Sequence, residues 1–158
     1  MAHKSDTKLE SILDAVGRTP LVRLNRITRG LSSPVYAKLE FLNPMGSVKD
    51  RVAKYMIERA EKDGRLRDGQ LIIENSSGNT ALGLAMVAIQ KGYRLKVVVR
   101  DSISPEKIGQ LRALGVEIHQ VDSTIPPEEP DSYNNITPRL VADTPGFGDV
   151  GLWGVGEE

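Results

Sequence analysis

Two stretches carry side chains able to do chemistry. One is Asn43-Pro-Met-Gly-Ser-Val-Lys49-Asp-Arg51, which brings a lysine to the mouth of a helix. A helix start is an unfavourable place for a cation, because the helix dipole is positive there. The field favours the neutral amine, the nucleophile that forms imines with carbonyl compounds. Asp50 opposes this, so the residues alone leave the net effect on Lys49 unsigned. The plain alternative is an exposed lysine on an ordinary amphipathic helix. The other stretch is Asn75-Ser-Ser-Gly-Asn-Thr80. Ser76, Ser77, Asn79 and Thr80 offer hydroxyl and amide donors, and Gly78 keeps the backbone open. At a helix N-terminus such a loop favours a carboxylate or phosphate. Here the plain alternative is a polar strand-to-helix loop with a capping serine.

The flanking residues say what must position these groups. Val35–Glu40 alternates in polarity, as a half-buried strand does. Asn43-Pro44 stops it, Gly46 permits a turn, and Ser47 is a good N-cap. From Val48 the period becomes helical, with Val48, Val52, Tyr55, Met56 and Arg59 as one stripe and Gly64 as the stop. Residues 8–16 read as a short helix, broken by Gly17-Arg-Thr-Pro20, and Leu21–Leu24 as a strand. Gln70–Glu74 is an apolar strand that leads into the serine-rich loop. Ala81–Gln90 is apolar on nearly every side, which requires burial. Leu95–Val99 is the next strand. Ser104-Pro105 opens a helix striped by Ile108, Leu111 and Leu114, and Val116–Val121 alternates as a strand. Strand, helix, strand, helix, strand with short connections predicts an α/β fold, a three-layer parallel sheet with flanking helices and right-handed crossovers. Ligands in such sheets bind at the carboxyl ends of the strands, where Ser76–Thr80 falls.

The chain has 158 residues, 39% hydrophobic and 27% charged, with 21 basic and 21 acidic side chains and no cysteine. A net charge of zero gives nucleic acid and anionic membranes no electrostatic handle. No apolar run is long enough to span a bilayer, and the N-terminus has no signal-peptide pattern. A cytoplasmic protein is expected. His3 and His119 are too few and too far apart for a zinc site, so no metal is expected. No G-x-G-x-x-G follows a strand, and no G-x-x-x-x-G-K-[ST] occurs, which argues against a dinucleotide fold and against a nucleotide P-loop. The last third opens on a proline-rich acidic connection, Ser123–Ser132, and leaves room for a short helix around Pro138. Residues 1–145 read as one region and 146–158 as an atypical glycine-rich tail.

The lysine stretch and Ser76-Ser-Gly-Asn-Thr80, in that order, resemble the cysteine synthase and cystathionine β-synthase family. These are pyridoxal-phosphate (PLP) enzymes of fold type II, the tryptophan synthase β-like group. Val16-Gly-Arg-Thr-Pro-Leu-Val-Arg-Leu24 and Leu111-Arg-Ala-Leu-Gly-Val-Glu117 resemble other family signatures. The resemblance runs from about residue 9 to about residue 145. It implies that Lys49 is the Schiff-base lysine and the general base, and that Asn79 binds the ring hydroxyl oxygen of the cofactor. It implies that Ser76, Ser77, Gly78, Asn79 and Thr80 grip the carboxylate of an amino-acid substrate. The reaction implied is β-replacement: O-acetylserine with sulfide to cysteine, or serine with homocysteine to cystathionine. It also implies a homodimer in the full-length family.

The chain departs from the family pattern in several places. Ser76 stands where the family usually has threonine, and Ala81 where it usually has glycine. Family members are about twice as long. Their second domain supplies a glycine- and threonine-rich loop for the cofactor phosphate and a polar partner for the pyridine nitrogen. Gly154-Val-Gly156 is no substitute for that loop, because Glu157 and Glu158 would repel phosphate. A truncated product reads this way, with activity incomplete in this chain. Ile125–Tyr133 leans weakly toward the cystathionine β-synthase branch. Two other classes stay open, a non-catalytic fragment and a binding module for small anions or amino acids.

Overall fold

The period change after Ser47 and the apolar runs near residues 72, 97 and 119 set the architecture. The computed structural model describes residues 8–146. A short 3-10 turn, Ile12–Ala15, precedes strands β1 (Leu21–Arg23) and β2 (Tyr36–Lys38), and a second such turn spans Glu40–Leu42. Then come α1 (Lys49–Lys62), β3 (Leu71–Asn75), α2 (Asn79–Lys91), β4 (Arg94–Arg100), α3 (Pro105–Ala113), β5 (Glu117–Val121) and α4 (Ile136–Ala142). Strands β3, β4 and β5 form a parallel sheet in that order, with Ile72 opposite Leu95 and Val97 opposite Ile118.

The sheet is covered on both faces. Ile72, Val97 and Val99 join α1, α2 and Leu111 of α3 in the main core. Val98 and Val121 point the other way and pack with Ile136 of α4. This is the expected three-layer parallel sheet with flanking helices. In α2, Ala81 through Ala88 are all buried, as an all-round apolar helix must be. Its C-terminus closes on Gly92 at φ 77°, a left-handed conformation that glycine adopts without strain. Ser104 caps α3, its Oγ accepting from Lys107 N, with Pro105 in the first turn as expected.

Four expectations need correction. The helix expected over 8–16 is only the turn Ile12–Ala15, closed by a capping box between Ser11 and Asp14. The strand expected over 35–40 shortens to Tyr36–Lys38 and pairs antiparallel with β1, outside the parallel sheet and largely exposed. Helix α1 starts at Lys49, one residue after the expected Val48, so Val48 holds the N-cap position and Ser47 lies outside it. Most consequential, most of the expected stripe of α1 faces outward, while Met56 packs against the core. Val48, Val52 and Tyr55 are 46%, 38% and 67% exposed, whereas Asp50, Ala53, Ile57 and Ala60 are buried. Small side chains at positions 53 and 60 let α1 lie close on α2, and close helix packing outweighs the bulk of the valines and the tyrosine. The expected glycine-rich tail lies outside the described residues apart from Gly146.

The segment before α1 is tied down by charge. Arg51 grips Glu40 with two parallel bonds, Nε to Oε2 at 2.8 Å and Nη2 to Oε1 at 3.0 Å. Thr19 Oγ1 donates to Glu40 Oε1 at 2.8 Å, and Asn43 Nδ2 donates to Oε2 at 2.8 Å. Asn43 Oδ1 accepts from Gly17 N at 2.9 Å. Gly17 sits at φ 89°, a left-handed conformation that strains other residues, and a Cβ there would also crowd the Arg51 guanidinium at 2.7 Å. The Arg51 guanidinium, helped by Thr19 and Asn43, holds the Glu40 carboxyl at a pKa of about 2. The charged form is favoured in the fold, so this stabilisation is present above the ordinary pKa near 4.5 and fades as pH falls toward 2. Glu40→Gln should lower the melting temperature by a few degrees at pH 7 and flatten its decline between pH 4.5 and 2. Calorimetric scans across that range check this.

Candidate active site

Lys49 begins α1 and is exposed. Its backbone N–H donates to Ser47 Oγ at 3.1 Å. Among the described residues its side chain makes no hydrogen bond or ion pair, so the amine is uncommitted. Its neighbour behaves differently. Asp50 is fully buried, and its Oδ2 accepts from Met45 N at 2.6 Å, closing the Pro44-Met45-Gly46 turn in place. Gly46 takes φ 79° to make that turn, and its N–H returns to Asn43 O at 2.8 Å. Burial pushes the Asp50 carboxyl above its ordinary value, so the acid expected to oppose Lys49 is turned inward and less readily ionised.

The second stretch follows β3. Asn75 ends the strand, Ser76 and Ser77 form the loop, and Asn79 and Thr80 are the first residues of α2. Gly78 is the N-cap in an extended conformation, and no side chain caps this helix. The serines that would cap it in the plain reading do other things. Ser76 Oγ accepts from Gly78 N at 3.3 Å, and Ser77 Oγ lies 3.5 Å from Tyr133 Oη. The N–H groups of the first turn of α2 therefore stay available for an anion, with the helix dipole behind them. Asn79 is exposed, and Ser76, Ser77, Gly78 and Thr80 are half-buried, which leaves the loop reachable.

The two stretches meet through helix packing. A Cβ on Gly83 would lie 3.0 Å from Lys49 O and 3.2 Å from Ala53 Cβ. The first turn of α1 thus rests on the second turn of α2, just past Asn79 and Thr80. A side chain at position 83 would make the backbone of α1 give way by a few tenths of an ångström. This sets the lysine turn and the anion loop side by side.

Tyr133 is a neighbour of the site that the sequence does not signal. Its carbonyl accepts a hydrogen bond from Asn75 Nδ2, and the Arg100 guanidinium lies 4.3 Å from its ring centroid. Nothing in the proline-rich connection around Tyr133 points to a link with a loop some fifty residues earlier. His119 is half-buried in β5, and among the described residues no cluster of histidine, cysteine or acidic side chains is placed to hold a metal.

Residues 12–150 match the pyridoxal-phosphate dependent enzyme family. Cystathionine β-synthase from Rattus norvegicus is 45% identical over 144 residues, covering 90% of this chain and 26% of the relative. The enzyme of that name from Saccharomyces cerevisiae is 39% identical over 149 residues, covering 90% of this chain and 29% of the relative. A hydrogen sulfide-producing enzyme from Fusobacterium nucleatum superposes with a TM-score of 0.80 at 37% identity, covering 90% of this chain and 45% of that one. O-ureido-L-serine synthase superposes with a TM-score of 0.76 at 38% identity, covering 89% of this chain and 43% of that one. The chain spans about a quarter of the length of these curated relatives.

Directly before the loop, on β3, lies Glu74. It is 3% exposed, and among the described residues its Oε2 has no hydrogen-bond partner. Burial pushes its carboxyl up to about 8, so the neutral acid is the form the fold accepts. The unfolded chain ionises this group near 4.5 and the folded chain only near 8, so stability falls as pH rises between those values. Each unit of difference corresponds to roughly 1.4 kcal/mol, which makes the effect several kcal/mol in scale. Glu74→Gln should keep melting temperature level from pH 5 to 8 while the wild type declines. Thermal melts at the two pH values read this directly.

Proposed function

Because this chain belongs to the pyridoxal-phosphate dependent enzyme family, we propose that its site serves PLP-dependent β-replacement on serine or O-acetylserine, of the cysteine synthase or cystathionine β-synthase type. One observation carries the reading: the close contact of Gly83 with the backbone of Lys49. That contact joins an uncommitted amine to an uncapped, donor-rich helix start, and the reaction needs both. PLP-dependent β-replacement requires a lysine that holds the cofactor and moves the α-proton, and an anchor that fixes the substrate carboxylate.

The residues present fit the cofactor on the lysine side. Among the described residues Lys49 has no competing partner, and Asp50, the nearest acid in sequence, is buried against Met45. When bound, PLP supplies the electron sink for the carbanion. Lys49 would hold it and then carry the proton at Nζ. Asn79 would face its ring oxygen. The N–H groups at the start of α2, with the hydroxyls of Ser76, Ser77 and Thr80, would orient the carboxylate, and Gly78 would leave it room. A carboxylate held by several fixed donors keeps the α-carbon in register with the base. A cysteine-forming or cystathionine-forming outcome depends on the thiol acceptor, and an amino-acid substrate is common to both.

A second reading has one observation behind it. Val48, Val52 and Tyr55 of α1 are exposed, as are Phe41 and Leu42 shortly before it, the kind of apolar exposure that further polypeptide would cover. A non-catalytic chain that works only against further polypeptide would look like this.

Absorbance separates the two. The purified chain with added PLP should show a visible band of lysine-bound cofactor, absent in Lys49→Ala, and serine or O-acetylserine should move it. No band, or an equal band in both proteins, would overturn the catalytic reading.

A further inference from the structure

Beside the serine-rich loop lies a cavity of about 270 Å³, lined by Ser77, Arg100, Ser102, Ile103, Ser104 and Lys107. Its chemistry is one-sided. Two cations and several hydroxyls line it, and no carboxylate does. The acids nearby in sequence do not line it: Asp101 Oδ1 accepts from Ser123 N at 3.1 Å, and Glu106 is exposed in the first turn of α3. Among the described residues neither Arg100 nor Lys107 has a carboxylate partner.

Arg100 is also oriented. Its guanidinium lies over the ring of Tyr133, 4.3 Å from the centroid, and Tyr133 is anchored through its carbonyl to Asn75 and lies near Ser77 through its hydroxyl. A guanidinium attracted to a ring in this way keeps N–H donors to offer a carboxylate. Ser77 belongs both to this cavity and to the loop that would hold the first amino acid, so an anion here would sit next to that substrate.

We propose that Arg100 and Lys107 form a second carboxylate subsite, which holds the carboxylate of a thiol-bearing amino acid acting as the acceptor. The proposal rests on the β-replacement reading above. It bears on the choice that reading leaves open. Sulfide, partly the HS⁻ anion at neutral pH, can meet a positive charge but has no carboxylate to accept the paired N–H donors of a guanidinium, whereas an amino-acid thiol has one.

The test is an amide NMR titration of the full 158-residue chain with reduced L-homocysteine, with serine and with acetate. The chain has no cysteine, so a thiol ligand forms no mixed disulfide with it. L-homocysteine should move the amides of residues 102–107. Its dissociation constant should rise at least about tenfold in the Arg100→Gln, Lys107→Gln double variant, a loss of about 1.4 kcal/mol. Shifts caused by serine across residues 76–80 should keep their midpoint within about twofold in that variant, which also shows that it is folded. Equal L-homocysteine affinity in the two proteins would overturn the proposal. So would acetate acting at the same concentrations with the same affinity, since that is an adventitious anion site only. The two readings fail separately: serine that moves no amide in 76–80 counts against the substrate loop, and L-homocysteine that moves none in 102–107 counts against the subsite.

Discussion

The contact between Gly83 and the backbone of Lys49 is the constraint on which the site depends. A helix start that carries a lysine is common, and so is a polar loop between a strand and a helix. Their combination gains meaning because α1 and α2 approach so closely that a Cβ on Gly83 would press on Lys49 O. Ala53 and Ala60 make the same allowance from the other side. The helices are held against the parallel sheet by Ile57, Leu84 and Val87, all fully buried. Around this seam the remaining parts are local. The bonds that join Arg51 to Glu40 and Thr19, and Glu40 to Asn43, fix the approach to α1, and Asp50 closes the turn at Met45.

The chemistry at the site follows from what is left unpaired. Groups not committed to protein partners at a reachable surface are free to exchange water for a ligand. Lys49 Nζ and the first N–H groups of α2 are such groups. The buried acids on either side, Asp50 and Glu74, are both pushed toward the neutral form by burial. Their negative charge therefore competes less with a bound carboxylate or cofactor than a count of acids in the sequence suggests.

Much of the fold is legible in the amino-acid sequence. Turn residues act locally, so Gly46, Ser104-Pro105 and Gly92 mark real boundaries, and the alternation of periods near residues 72, 97 and 119 yields the parallel sheet. What escapes depends on contacts far apart in sequence. The buried face of α1 is set by small residues that admit α2, and a hydrophobic count follows the valines and Tyr55 to the wrong side. Strands β1 and β2 span three residues each, too few for a period to reveal that they form their own ribbon. Tyr133 reaches the serine-rich loop across most of the fold, and no local rule points to it. Residue types and spacing are enough to name the candidate site residues. The structure adds that no side chain caps α2 and that Gly83 brings the two stretches together.

One measurement bears on that seam most directly, the affinity for PLP of Gly83→Val, with circular dichroism recorded on the same sample. A branched side chain at the contact must push the lysine turn away from the anion loop. Native-like helix content with cofactor affinity at least about tenfold weaker, a loss of roughly 1.4 kcal/mol, is the expected result. A folded Gly83→Val protein that binds the cofactor as tightly as the wild type would contradict it.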